Sequence, residues 1–447
     1  MYSNKIQSVL DSQKIKIGEE VVVNKSGNQY EGILMPRSEI GNQNCIVIKL
    51  DSGYNIGVEF DSKTTIKKSA HRTPKAEKEE EEFELGKIKK SLIKVEFDPK
   101  KPPVSLIATG GTIASRVDYK TGAVRMQMDP KEFLHNTPEL VNIVNLKTEV
   151  PFTKASEDMD HTDWQELAKL TAKKLNSGDH GVIITHGTDI LHYTAAVLSF
   201  FLKNLSKPVV IVGAQKSPDR GSSDAFMNLI CASYAAVSDI AEVGVCMHAT
   251  IEDTFCLFTP GTKVRKMDTV KRSAFQPVNG RPFAKIYPDG KIEALSEYKK
   301  RSEQKVEADT AWEPNVALVK IYPESDPSVL EWYISKGYKG FVLEATGLGH
   351  VPTQSKKSWI PTIKKLVKDG IPVVVTSQTL YGRVNPNVYT NLRILFYEAG
   401  AIPGEDMTPE TAWVKLSWVL GHTKALEEVR KLMTTNLVGE ITERSLL

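Results

Sequence analysis

Between Lys14 and Lys63, apolar and polar positions alternate with the two-residue period of short strands, in KIGEEVVVN, QYEGILMPR, CIVIKLD and YNIGVEF. Glycine, asparagine and aspartate separate these runs, and no helical stripe interrupts them. The pattern predicts a small β-barrel within residues 1–70. From about Lys67 the composition shifts to lysine and glutamate, with EKEEEEFELGKIKKS at its centre. Such a run buries little, and residues 71–103 read as a charged linker, with a short connecting strand as the other reading.

After Pro103 the grammar changes. VSLIATGG, HGVIITHG, PVVIVGAQ and EVGVCMHA are continuous apolar runs ending in small or glycine-containing turns. Strands of that kind are buried on both faces, as in a parallel sheet covered by helices. Leu191, Ala195, Leu198, Leu202 and Leu205 step by three or four and predict the helix that follows HGTD. The same grammar restarts at Ala317, with VALVKIY, a helix around Val329–Ser335, GFVLEATGLG, a helix around Trp359–Lys368 and IPVVVTSQ. The expected fold class is α/β, with two units of parallel or mixed sheet carrying helices on both faces, behind the barrel. The units are expected over residues 104–300 and 301–447, and the polar stretch from about Pro277 to Pro314 reads as the linker between them.

Composition changes this picture little. The 447 residues carry 25% charged side chains and a formal net charge of +3. That is ordinary for a globular chain and lacks the strong basic bias of a dedicated nucleic-acid binder. No apolar run reaches the ~20 residues of a membrane span, and the N-terminus lacks a signal-peptide core, so a cytoplasmic protein without membrane contact is expected. Cys45, Cys231, Cys246 and Cys256 are widely spaced without a C-x-x-C pair, which fits reduced thiols in core packing and gives no zinc signature.

Ligands of open α/β sheets bind beyond the carboxyl ends of the strands, which directs attention to the turns ATGGT and THGTD. In the first, the glycines let the backbone turn sharply and hold Thr112 at the sheet edge. The G-x-G-x-x-G spacing of a dinucleotide site is absent. Thr112 is either an exposed hydroxyl for chemistry or a helix cap. Thr188 and Asp189 carry the same alternatives, nucleophile with orienting acceptor or N-cap, while His186 reads as a satisfied core or turn histidine rather than a metal ligand. Ser156, Glu157, Asp158 and Asp160 form a polar cluster that suits the ammonium and carboxylate of an amino acid, or else an acidic loop before a helix. Lys263, Arg265 and Lys266 are basic, and a lysine there gains meaning only if buried against a carboxylate. No metal is assigned.

Taken together and in order, TGGTIAS, SEDM, HGTD, SSDAFMNL and Lys266 resemble the L-asparaginase family over roughly Val104–Asn436. The resemblance implies hydrolysis of a side-chain amide in a site between neighbouring subunits. By position, Thr112 corresponds to the attacking hydroxyl, and Thr188, Asp189 and Lys266 to a second catalytic cluster in which Thr188 is activated. Tyr119, in DYKTG, corresponds to a residue of a loop that closes over substrate, and it stands with Lys266 and a bridging water as an alternative proton acceptor. Ser156, Glu157 and Asp189 correspond to positions that hold the substrate's α-carboxylate and α-amino groups, with Glu157 standing where free bacterial enzymes commonly have glutamine.

An asparaginase-like core with a barrel extension is similar to the D subunits of archaeal glutamyl-tRNA(Gln) amidotransferases. That similarity implies an ammonia-releasing subunit using glutamine or asparagine. A partner, the amidotransferase E subunit, would hold the Glu-tRNA(Gln) and use ATP and magnesium; this chain has no G-x-x-x-x-G-K-[ST] motif and no cofactor of its own is expected. A homodimer joined by partner subunits into a heterotetramer follows from the same similarity. Two other readings stand beside it: a stand-alone cytosolic asparaginase whose barrel supports the oligomer, and an inactive RNA-binding scaffold. The acidic residues interspersed among the barrel's lysines weigh against the scaffold.

Overall fold

The computed structural model describes residues 2–35, 42–49, 55–69, 98, 100–117, 124–126, 140–218 and 223–444. Near the N-terminus, strands Glu20–Lys25, Asn28–Leu34, Cys45–Lys49, Asn55–Glu59 and Thr64–Lys68 form a five-stranded antiparallel sheet, with Glu20–Lys25 between Asn28–Leu34 and Thr64–Lys68. Lys25 pairs with Asn28, so Ser26 and Gly27 make a two-residue turn, both with positive φ, +50° and +85°. The last strand lies beyond the alternating region read from the sequence. Helix Asn4–Ser12 lies ahead of the strand pattern and buries Ile6 and Leu10 against Val21, Val23, Leu34, Ile46, Ile48 and Ile66. This unit therefore has a core of its own.

The first large unit is an eight-stranded sheet. Strands Asn145–Glu149, Pro103–Ala108, Gly181–Thr185, Val209–Val212 and Val243–His248 lie side by side and parallel. Cys256–Pro260, Ala284–Ile286 and Ile292–Ala294 continue it antiparallel. Every residue of the Gly181–Thr185, Val209–Val212 and Val243–His248 strands is buried, as their unbroken apolar runs predict. The stretch expected as an interdomain linker instead supplies the last two strands of this sheet, and Glu307–Ala308 pairs with Leu202–Lys203. These segments are polar because they lie toward the edge: Ile292–Ala294 is largely exposed, and Lys285 pairs with Glu293. The helix after HGTD runs over Leu191–Phe201, shorter than its apolar stripe suggested, because Leu202 turns into the small Leu202–Lys203 strand.

The second unit is a four-stranded parallel sheet of Val316–Lys320, Gly340–Ala345, Val373–Ser377 and Ile402–Pro403. Ser328–Ser335 and Ile360–Lys368 contribute to the core on one face. On the other face, helix Pro409–His422 begins with Pro409 behind a Thr408 side-chain cap and is buried almost all round. Its Ala412, Val414, Leu416 and Val419 belong to one continuous core with Leu191, Ala195 and Leu198 of the first unit and with Val316, Val342 and Val374 of the second sheet. No helix among the described residues is long and apolar enough to cross a membrane.

Candidate active site

The carboxyl ends of adjacent parallel strands run into loops that touch backbone to backbone. Gly111 has φ +84°, and a Cβ there would lie 2.3 Å from the Gly187 nitrogen. A Cβ on Gly187 would lie 2.7 Å from Cβ of Ser156, and one on Gly213 would lie 3.0 Å from Thr188 Cγ2. These glycines are what let the Thr112, Thr188 and Ser156 loops close on one another. Backbone bonds tie them further: Thr109 N–H donates to Thr185 O at 3.1 Å, Lys154 N–H to Thr109 O at 3.0 Å, and His186 N–H to Val212 O at 2.9 Å.

At this junction Lys266, from strand Val264–Lys266, donates to Thr188 Oγ1 at 2.9 Å and to Asp189 Oδ1 at 2.8 Å. Thr188 is buried, the lysine side chain is 13% exposed and the Asp189 side chain 64% exposed, so the cluster opens to solvent on the carboxylate side. Helix Leu191–Phe201 has Ile190 at its N-cap without a side-chain cap bond. Thr188 and Asp189 are therefore engaged with Lys266 rather than capping that helix. Thr112, half-buried, opens a single 3-10 turn, Thr112–Ala114, immediately after the Gly111 contact.

His186 organises the turn from beneath. Its ring is fully buried, with Nδ1 2.7 Å from Gly187 O and Nε2 2.9 Å from Thr194 Oγ1, and Trp164 Nε1 donates to that hydroxyl at 2.9 Å. A carbonyl oxygen can only accept, so the proton sits on Nδ1 and the Thr194 hydroxyl donates to Nε2. Burial lowers the His186 pKa to about 4, keeping the ring neutral. The satisfied core or turn histidine of the sequence reading is what the fold contains.

The polar cluster after Val150 divides its work. Ser156 is buried at the glycine contact, and Glu157 is exposed beside it, with its Oε2 3.5 Å from Ser156 Oγ. Asp160 caps helix His161–Asn176 and accepts from Thr162 N at 2.8 Å in a capping box with Asp163. Its carboxyl is held below the usual range, chiefly by the Thr162 hydroxyl. Tyr119, the expected lid residue, lies outside the described residues.

Of the SSDAFMNL segment, whose Ser222 is also outside the described residues, Asp224 and Asn228 are buried. Asp224 accepts from the backbone N–H groups of Gln215 and Lys216 at 3.0 Å, and Asn228 donates to Gly213 O at 3.0 Å. Together they hold the loop that backs Thr188. Among the described residues no cluster of histidine, cysteine, aspartate or glutamate suits a metal ion.

The sheet order and this junction define a chain of the asparaginase class. Residues 103–300 match the family model Asparaginase, N-terminal, residues 315–433 match the Glutaminase/Asparaginase C-terminal domain, and residues 15–68 match the GatD N-terminal domain. The solved thermostable L-asparaginase from Thermococcus kodakarensis superposes with a TM-score of 0.68 at 30% identity, over 76% of this chain and 99% of that one. The D subunit of glutamyl-tRNA(Gln) amidotransferase from Pyrococcus furiosus is 49% identical over 446 residues, 98% of each chain. Its counterpart of the same name from Methanobrevibacter smithii is 44% identical over 445 residues, 99% of this chain and 98% of that one. The chain belongs to the family of glutamyl-tRNA(Gln) amidotransferase D subunits.

Proposed function

We propose that this chain releases ammonia from the side-chain amide of glutamine or asparagine as the D subunit of an amidotransferase converting Glu-tRNA(Gln) to Gln-tRNA(Gln). The observation carrying the reading is the Lys266 ammonium bridging Thr188 and Asp189 in a turn packed against the Gly111–Thr112 loop. Thr112 Oγ attacks the amide carbon, and the tetrahedral species expels ammonia and leaves an ester on Thr112. Water then cleaves the ester, yielding the free carboxylate and restoring the hydroxyl.

A threonine hydroxyl is a weak nucleophile and needs an adjacent base. The Lys266–Asp189 pair activates Thr188, which relays the proton given up by Thr112 to the departing nitrogen. Ser156, Glu157 and Asp189 hold the amino-acid end of the substrate. The partner, an amidotransferase E subunit, would bind Glu-tRNA(Gln), activate its glutamate with ATP and magnesium, and receive the ammonia in a cytoplasmic heterotetramer built on a homodimer of this chain.

The test uses the assembled enzyme. Thr112→Ala and Lys266→Ala should abolish glutamine-dependent amidation of Glu-tRNA(Gln), while added ammonium salts still support it. Persistence of glutamine-dependent amidation in Thr112→Ala would overturn the assignment. Equal amide hydrolysis with and without partner and tRNA would instead identify a stand-alone asparaginase.

A further inference from the structure

We propose that the second α/β unit sets the position of Lys266 through a pair of ionic pins, Lys263–Asp406 and Arg265–Glu410. The inference rests on the catalytic reading of Lys266 given above. Lys266 ends the strand Val264–Lys266, which pairs antiparallel with Phe275–Pro277, and Val278 N–H continues the ladder to Lys263 O at 2.7 Å. Side chains of successive strand residues point to opposite faces, so fixing Arg265 on one face fixes where Lys266 points on the other. Arg265 Nε donates to Glu410 Oε1 at 2.7 Å, and Lys263 Nζ to Asp406 Oδ2 at 2.8 Å. Both carboxylates come from the second unit, Glu410 from the first turn of Pro409–His422 and Asp406 from the segment leading into it.

Asp406 is held independently of the strand, and Glu410 is buried in the first turn of its helix. Asp406 is 1% exposed; it accepts from Thr442 N at 3.0 Å and from the Thr442 hydroxyl, and its backbone oxygen accepts from Asn279 Nδ2 at 3.0 Å. Arg383 reinforces this by donating to Glu443 O at 2.8 Å and Thr442 O at 2.6 Å. The Lys263 stem packs closely over Gly280, where a Cβ would lie 3.0 Å from Lys263 Cγ. The Glu410 side chain is 8% exposed, and Arg265 is its hydrogen-bonding partner among the described residues, with Oε2 unpaired. Losing Arg265 would leave the buried Glu410 carboxylate uncompensated, whereas Asp406 also faces Arg383 at 3.8 Å. Arg265 and Glu410 thus act as positioning residues, reaching the chemistry only through Lys266.

The experiment compares Arg265→Ala, Glu410→Ala, the double variant and Arg265→Lys in the full chain. It measures kcat and KM for amide hydrolysis and the rate at which an amine-selective reagent labels Lys266, read by peptide mass spectrometry. Displacement of a reacting group by about 1 Å costs up to ~100-fold, so each Ala variant should lose at least about tenfold in kcat with KM nearly unchanged. The double variant should be no worse than the poorer single, Lys266 should label several-fold faster, and Arg265→Lys should recover part of the loss. Folded variants with kcat within about twofold of the parent and unchanged labelling overturn the proposal. If an Ala variant does not fold, the near-isosteric Glu410→Gln and Arg265→Lys carry the same readouts. Full activity in Lys266→Ala would remove the catalytic reading of that residue, whereas the labelling still reports whether the pins hold it.

Discussion

Replacing Gly111 by alanine probes the contact on which the site is built. The residue has φ +84°, and its new Cβ would fall 2.3 Å from Gly187 N, 2.4 Å from Gly187 Cα and 2.7 Å from His186 C. Non-bonded atoms rest about 3.5 Å apart or more, so the loops must part by roughly 1 Å. The left-handed backbone costs an L-residue ~1–2 kcal/mol, and the overpacking adds ~1–3 kcal/mol. Gly178 provides the control: its φ is +96° and a Cβ there meets nothing within 4 Å. Gly178→Ala should lose only the conformational part, ~1–2 kcal/mol, and keep full activity. Gly111→Ala should lose ~2–5 kcal/mol in urea unfolding, and ammonia release should fall by about 100-fold as Thr188 moves with Gly187. Equal stability losses in the two variants, with amide hydrolysis intact in both, would refute the idea that the Gly111–Gly187 contact aligns the threonines.

Acid should weaken the fold before the carboxylates titrate. Burial puts both His186 and His192 at about pKa 4 against an ordinary 6.5, so the unfolded chain binds more protons between these values and stability falls as pH drops from 6.5 toward 4. The full loss is ~3 kcal/mol per histidine, and a flat urea midpoint from pH 6.5 to 5 would contradict it. Lys415 and Glu440 are both 0% exposed and paired at 2.5 Å. Glu440→Gln should therefore cost ~3–5 kcal/mol in denaturant unfolding, and joining it to Lys415→Met should recover much of that. Asp224→Asn weakens the charge-assisted bonds from the Gln215 and Lys216 amides, with an expected loss of about 1.5–3 kcal/mol and slower amide hydrolysis at unchanged substrate affinity.

The parallel strands were legible because burial on both faces leaves an unbroken apolar run, as in GVIIT and VVIV. Edge strands such as Ile292–Ala294 are half solvent-facing and compositionally resemble linkers, which is why the region after Pro277 misled. Helix Asn4–Ser12 carries only Ile6 and Leu10 as buried apolar residues, too sparse a stripe to stand out. In the site, TGGT, HGTD and Lys266 pointed to segments that the fold brings to one junction. Their supports were hidden: Arg265 and Glu410 are 145 residues apart, and nothing local in either segment marks the other. Asp224 and Asn228 had a readable cue in their helical spacing of four, but not the loop they hold.

Helix Pro409–His422 lies in a core shared by the two α/β units, whereas the N-terminal sheet closes around its own apolar cluster. The apolar core runs unbroken across the division between the two α/β units. A graft exchanging only residues 315–433 would bring a foreign face against Leu191, Ala195 and Leu198. Substitutions on the two sides of this seam therefore have to be matched to one another.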